Sequence, residues 1–224
     1  DYIATKLEAA PKGSAEKFNA AVQKVLQEVI RENDRIIFNG DNYSEAWHKE
    51  AGKRGLPNLR NTVDALPALL EPENVEVFER FKVFSKREIE SRHEIYLERY
   101  VKDVNIEARL ALKIAKTQIF PAAVAYEERL ASASHSLKGL GIHHCTTVLE
   151  ELTGLLAKFQ PAIARLDHAV NHHAEGTTLD HAKYARDSLI PAMVEVRQIA
   201  DALEGVVGDE FWPLPTYQEM LFIK

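Results

Sequence analysis

An all-α fold, an up-down-up bundle of long helices preceded by shorter ones with little or no strand, is predicted by three observations. Apolar residues run from Leu97 through Val101, Val104, Ala108, Leu112, Ala115, Ile119, Ala123, Tyr126, Leu130 and Ala133 to Leu137. Their mean spacing of about 3.6 residues is the α-helical period, and charges such as Glu98, Lys102, Arg109, Lys113 and Glu127 fall off that stripe. Two later segments, about 146–173 and 179–207, repeat the period through Leu152, Phe159, Ile163 and Leu166, then Ala185, Leu189, Val196 and Leu203. Short turns containing Gly139, Gly141 and Gly176 separate these segments, so consecutive long helices are predicted to be antiparallel neighbours.

The earlier elements follow in order. Ile3, Leu7 and Ala10 stand at helical spacing; Pro11, Gly13 and Ser14 then punctuate a turn before a helix over about 15–32 with Phe18, Val22, Val25 and Val29 on its face. Arg35 to Phe38 is a short β-prone run closed by Asn39-Gly40, read as an extended connector in preference to an edge strand. Ser44 is the predicted N-cap of a helix ending near Gly55. Leu56-Pro57-Asn58 forces a loop, and two short helices are expected over 62–70 and 73–81. Ser85 with Glu88 forms the S-x-x-E capping box that launches the long helix.

Each long helix carries a proline in a similar setting, at Pro121, Pro161 and Pro191, while the apolar period runs through all three. Two readings stand side by side: proline kinks inside continuous helices, or prolines at the first turn of separate shorter ones. Beyond Val207 the period stops. Phe211, Trp212, Pro213, Leu214, Pro215 and Tyr217 form an aromatic, proline-rich tail, which is expected to lie across its own bundle or dock on another subunit. Phe211, Trp212 and Tyr217 are therefore the candidate interface residues.

Composition excludes several classes of function. A formal net charge of −6 and a pI near 5.9 without a basic cluster argue against nucleic-acid binding. No stretch is long and apolar enough to cross a membrane, and the single cysteine, Cys145, leaves no internal disulfide. A soluble, cytoplasmic setting is expected. The chain opens directly into helical sequence and its first methionine is Met193, so a C-terminal piece of a longer polypeptide is expected.

Two constellations invite chemistry. His135-Ser136-Leu137-Lys138-Gly139 matches the H-x-L-K-G pattern of histidine phosphotransfer domains, which makes His135 an alternative phosphoacceptor. The plainer reading is a helix terminus with His135 and Lys138 near the negative end of the dipole. His168 and His172 are four apart on one helical face, with His181 across the next turn. That spacing suits zinc, but surface histidines beside a turn are the default reading, and no metal site is assigned. The carboxylates Glu88, Glu90, Glu94 and Glu98 interleave with cations as solvated i,i+4 pairs. No phosphate loop, nucleophile elbow or cysteine–histidine pair is legible. No catalytic or cofactor-binding residue is assigned, so whether the chain takes part in catalysis is left open.

Three blocks resemble the C-terminal part of type III glutamine synthetases, the long-subunit bacterial glutamate–ammonia ligases. They are Ile37-Phe38-Asn39-Gly40-Asp41-Asn42-Tyr43-Ser44-Glu45-Ala46-Trp47 continuing to Lys53-Arg54-Gly55-Leu56, then Ser85 to Ala108 with Val104-Asn105-Ile106-Glu107-Ala108, and Trp212-Pro213-Leu214-Pro215-Thr216-Tyr217. The resemblance implies a parent enzyme that joins ammonia to glutamate at the expense of ATP with Mg or Mn ions, as a cytoplasmic homo-oligomer of stacked rings. It implies that residues 1–104 are the helical end of a catalytic domain whose metal and nucleotide sites lie upstream. Residues 105–224 would be an added helical bundle that packs subunits and is itself non-catalytic. The implied partners are the upstream catalytic domain and other subunits.

Overall fold

The computed structural model describes residues 2–9, 14–172, 175–215 and 217–221, and it is helical with no strand among them. Two compact units divide the chain, Asp1–Arg60 and Asn61–Lys224.

The first unit holds α1 (Tyr2–Glu8), α2 (Ala15–Glu32) and α3 (Glu45–Lys53). The predicted turn at Pro11 and Gly13 lies outside the described residues, but Ser14 caps α2 by accepting the Lys17 N–H. Glu28 on α2 takes a hydrogen bond from the Tyr2 hydroxyl at 2.9 Å and pairs with Lys6 at 2.5 Å, which joins α1 to α2. Arg35 to Phe38 forms a 3-10 turn (Asp34–Ile36) leading into extended backbone, in keeping with a connector. The first block of the resemblance folds as a small knot. Phe38 stacks on Trp47 with ring centroids 4.6 Å apart. Arg54 donates to Glu50 at 2.8 Å and to the Ile37 carbonyl at 2.8 Å, with the Asp34 and Arg35 carbonyls also in reach. One planar guanidinium thus satisfies the end of the 3-10 turn and the last turn of α3 together. Val25 and Ala51 are the buried residues of this unit among those described, while Phe18, Leu26 and Ile30 stay exposed.

The second unit begins with α4 (Thr62–Ala65), a 3-10 turn (Leu66–Leu70) and α5 (Pro72–Arg80). The capping box at Ser85 and Glu88 is formed, and α6 (Lys86–Ile114) starts there. A π-helical turn (Ala115–Ile119) joins α6 to α7 (Phe120–Gly139) without a break, making about 80 Å of continuous helix at 1.5 Å per residue. The expected division at 104/105 falls inside α6, where Asn105 Nδ2–H bonds back to the Val101 carbonyl at 2.8 Å. The α7 helix ends at Gly139, and Gly141 beyond its cap has a φ of +72° that suits a residue without Cβ.

Next come α8 (Thr147–Asn171), α9 (Thr178–Tyr184), a second π turn (Ala185–Leu189) and α10 (Ile190–Glu204). The helices are antiparallel as predicted. Along α8, Thr153 meets Glu127 and Asp167 meets Lys116, so residue numbers rise on one helix as they fall on the other. Likewise Arg165 pairs with Glu195, and the Tyr184 hydroxyl donates to the Ala169 carbonyl. Phe159, Leu166, Leu152, Leu189 and Leu203 are almost fully buried at the centre.

Helix continues through all three prolines, but in two different ways. At Pro121 the preceding Phe120 N–H reaches back five residues to the Ala115 carbonyl, and at Pro191 the Ile190 N–H reaches the Ala185 carbonyl. This wider turn supplies room beside the carbonyl four residues before each proline, which its ring would otherwise strike. Both segments read Ala-x-x-x-Ile/Leu-Phe/Ile-Pro-Ala. Pro161, six residues after Leu155, sits inside unbroken α-helix.

Candidate subunit-contact surface

The tail is positioned by a tight turn after α10. Gly208 lies so close to Tyr126 that an added Cβ would stand 3.2 Å from its ring. A 3-10 turn (Asp209–Phe211) follows, closed by the Phe211 N–H donating to the Gly208 carbonyl at 2.8 Å. The Phe211 ring then packs on Tyr126 with centroids 5.3 Å apart. Trp212 and Leu214 are half-buried against the central core. Of the three candidate interface residues, Phe211 and Trp212 thus lie on the chain's own bundle. Tyr217 begins the short helix α11 (Tyr217–Leu221), and its side chain lies outside the described residues.

Trp212 and Leu214 form one wall of a groove of about 370 Å³. Its floor is Ala115, Ile119, Met193 and Val196, and its rim carries Arg197, Asp201 and Glu204. Trp212 Nε1–H is buried without a hydrogen-bond partner. A buried donor left unpaired costs roughly 1–3 kcal/mol.

The far end of α7 and the start of α8 form a hairpin arm. From Arg165–Glu195, nine residues onward along α10 lies its last residue, Glu204, and nine residues back along α8 lies Leu156. Three-helix packing therefore ends near Leu156, level with the start of α7. Burial agrees: Ala123 is the last buried residue on α7 and Leu152 the first on α8, and none of residues 124–151 is buried. The two helices project together some 20 Å at 1.5 Å per residue, and Leu140, Ile142 and Val148 are exposed at the tip at 75%, 52% and 45%.

The other predicted residues are placed as follows. His135 is exposed in the last turn of α7, with Lys138 exposed three residues on. His168 on α8 and His172, the residue just beyond its end, have ring centroids 6.3 Å apart, and His172 faces Tyr184 at 5.0 Å. His181 is half-buried on α9. Among the described residues, no three His, Cys, Asp or Glu side chains are grouped to hold a metal ion. Cys145 is exposed in the arm's turn, where hydrogen bonding from Thr147 holds its thiol below the ordinary range. Neither the groove nor the isolation of the arm was read from sequence. The one available signal was the tip's own composition, three aliphatic residues around two glycines.

This geometry defines a class: an antiparallel helical bundle that presents a projecting hairpin and an apolar groove, and in which no helix is long and apolar enough to cross a membrane among the described residues. The family follows from comparison with known proteins. The family described as glutamine synthetase C-terminal domain matches residues 21–138, just over half of the chain, and the chain belongs to it. A glutamine synthetase of Butyrivibrio fibrisolvens is 34% identical over 215 residues, covering 93% of this chain and 31% of the relative. The type-3 glutamine synthetase of Dictyostelium discoideum is 32% identical over 216 residues, covering 91% and 29%. A glutamine synthetase of Bacteroides fragilis strain YCH46 is 30% identical over 214 residues, covering 91% and 29%. The chain thus spans just under a third of the length of each.

Proposed function

We propose that this chain is the non-catalytic assembly part of a glutamate–ammonia ligase, one that couples ATP hydrolysis to glutamine formation with Mg or Mn ions bound outside these residues. The observation that supports it best is the arm. The amphipathic stripe of α7 continues through Ala133 and Leu137 with no residue of 124–151 buried, and aliphatic side chains stand exposed at the tip; a face of this kind is made for a partner. On this reading the partners are the catalytic domain of the same polypeptide and other subunits of a homo-oligomer in the cytoplasm.

The test compares two proteins. The full-length polypeptide is expected to form glutamine from glutamate, ammonia and ATP in the presence of Mg or Mn, and to sediment as an oligomer. The 224-residue chain is expected to form none. Turnover by the 224-residue chain alone, or a full-length protein that is monomeric, would remove the proposal.

A further inference from the structure

The first unit, Asp1–Arg60, has too little interior to hold itself. Among its described residues only Val25 and Ala51 are buried, whereas a domain of about 60 residues buries roughly 60% of the surface its unfolded chain exposes. Its uncovered apolar surface is concentrated on α2. At about 100° per residue, nine of the 18 residues of α2, from Val25 through Phe18, Val22 and Leu26 to Ile30 and Gln23, fall in an arc of about 160°. None of the nine is charged, and all six charged residues of the helix lie on the other side. The α1 helix covers a different sector through Glu28, which pairs with Tyr2 and Lys6. Val25, at the border nearer α1, is buried, while Phe18, Leu26 and Ile30 are exposed at 45%, 47% and 56%.

Where the family match begins points to what covers this arc. The match to the C-terminal domain starts at residue 21, inside α2, so one continuous helix runs across the boundary between that domain and the sequence before it. The regions matched are 31%, 29% and 29% of the three relatives, so most of such a polypeptide lies on the other side of that boundary. Elements consecutive in sequence usually pack together, and the tether itself keeps them at high effective concentration. An arc without charges suits a permanent contact, whose core is depleted of charged residues. We propose that the Phe18, Leu26 and Ile30 arc of α2 is the seat of the domain that precedes it in the same polypeptide, an intramolecular contact that completes the first unit. This rests on the reading that the chain is one part of a longer enzyme, and it names the surface by which the parts join. The matching surface is apolar, with uncharged polar groups opposite Asn19 and Gln23.

The test uses the full-length polypeptide, co-assembled from light and 15N-labelled copies, with the photoreactive residue p-benzoylphenylalanine at position 30. After irradiation, mass spectrometry is expected to find single-isotope cross-links from position 30 to the domain that precedes this chain. The same probe at position 24, on the charged side of α2, should give about tenfold fewer of them. The double variant Leu26→Gln, Ile30→Gln should speed amide exchange over residues 18–32 about tenfold and leave residues 86–114 unchanged. Mixed-isotope cross-links, which mark a second copy, would overturn the contact. So would cross-links into residues 61–224, equal yields from positions 24 and 30, or amide exchange unmoved by the double variant. Glutamine formation and oligomer mass of the unsubstituted polypeptide are read separately. An active oligomer without these cross-links sinks the contact alone, and an inactive or monomeric protein sinks the assembly reading.

Discussion

The body of the bundle and its arm share one amphipathic stripe, with opposite outcomes. From Leu97 to Ala123 the stripe has eight members, and six are buried: Leu97, Val104, Ala108, Ala115, Ile119 and Ala123. From Tyr126 to Leu137 it continues at the same spacing through Leu130 and Ala133, and none of the four is buried. Periodicity states that a helix has a face for packing; it does not state what covers the face. The third helix ends at Glu204, and the turn that follows covers α7 only as far as Tyr126, through Phe211.

The largest expected effect tests that contrast directly. Phe159→Ala, in the body at 0% exposure, should destabilise by about 3–5 kcal/mol through lost burial and the cavity left behind. Leu137→Ala, half-buried in the arm, should cost less than about 1 kcal/mol. Urea unfolding of the two variants measures both, and equal losses would break the distinction between body and arm. Amide exchange should follow the same division, fast for α7 beyond Val124 and slow through α8 from Leu152 onward.

Next in size is a contrast within the body. Pro161→Ala restores a backbone donor inside unbroken α-helix and should stabilise by about 1–2 kcal/mol. Pro121→Ala should change stability by less than about 0.5 kcal/mol, because the π turn before it has already relieved the clash. Matching gains at the two sites, measured by thermal unfolding, would show that the π turn gives no relief.

A smaller effect compares two helix ends of identical hydrogen-bond pattern. The arm's α7 closes with Ile142 N–H to the Leu137 carbonyl and Gly141 N–H to the Lys138 carbonyl, and α5 closes with Val83 N–H to Phe78 and Lys82 N–H to Glu79. The left-handed position is a glycine in the arm but Lys82, with φ 54°, in the body. Lys82→Gly should stabilise by about 0.5 kcal/mol, the relief of strain outweighing the added freedom of the unfolded chain. Gly141→Ala should cost about 1 kcal/mol. Unchanged unfolding midpoints for both would remove the strain argument.

The smallest effect is acid sensitivity, which should arise in the body. Glu88 accepts hydrogen bonds from Ser85, and Asp180 from Thr177, and these hold both carboxyls below their ordinary ranges. Depressed values mean that the folded state binds these protons more weakly, so the stabilisation is present above the ordinary carboxylate pKa near 4. It is lost as pH falls through the depressed values. Helix α8 in the arm begins after Thr146 without a side-chain cap. The Glu88→Gln, Asp180→Asn double variant should flatten the fall in melting temperature between pH 5 and pH 3, both limits being approximate. An unaltered profile would place the acid sensitivity elsewhere.

Most helix starts and stops were legible in the sequence because their causes are local. Ser85 with Glu88, Ser44, and the glycines at 55, 141 and 176 act through hydrogen bonds and backbone sterics within a few residues, and each lies where the structure starts or ends a helix. The three prolines were not legible in that way: near-identical local settings lead to a π turn twice and to plain α-helix once. The site was legible in part. Phe211 and Trp212 stood out as a tail that needs cover, but the groove that Trp212 helps to line assembles from Ala115, Met193 and Leu214, residues far apart in the chain.

The sequence by itself determined the all-α class, the antiparallel order of the long helices, the amphipathic faces and the family. Tertiary structure alone decided where those faces are covered, how each proline is absorbed, and that the tail folds onto Tyr126 to leave a groove beside it. The physical reason is range. Capping, period and turn chemistry act over one or two helical turns, whereas burial at any level of the bundle depends on whether another helix extends that far, and that is set by the relative lengths of α7, α8 and α10.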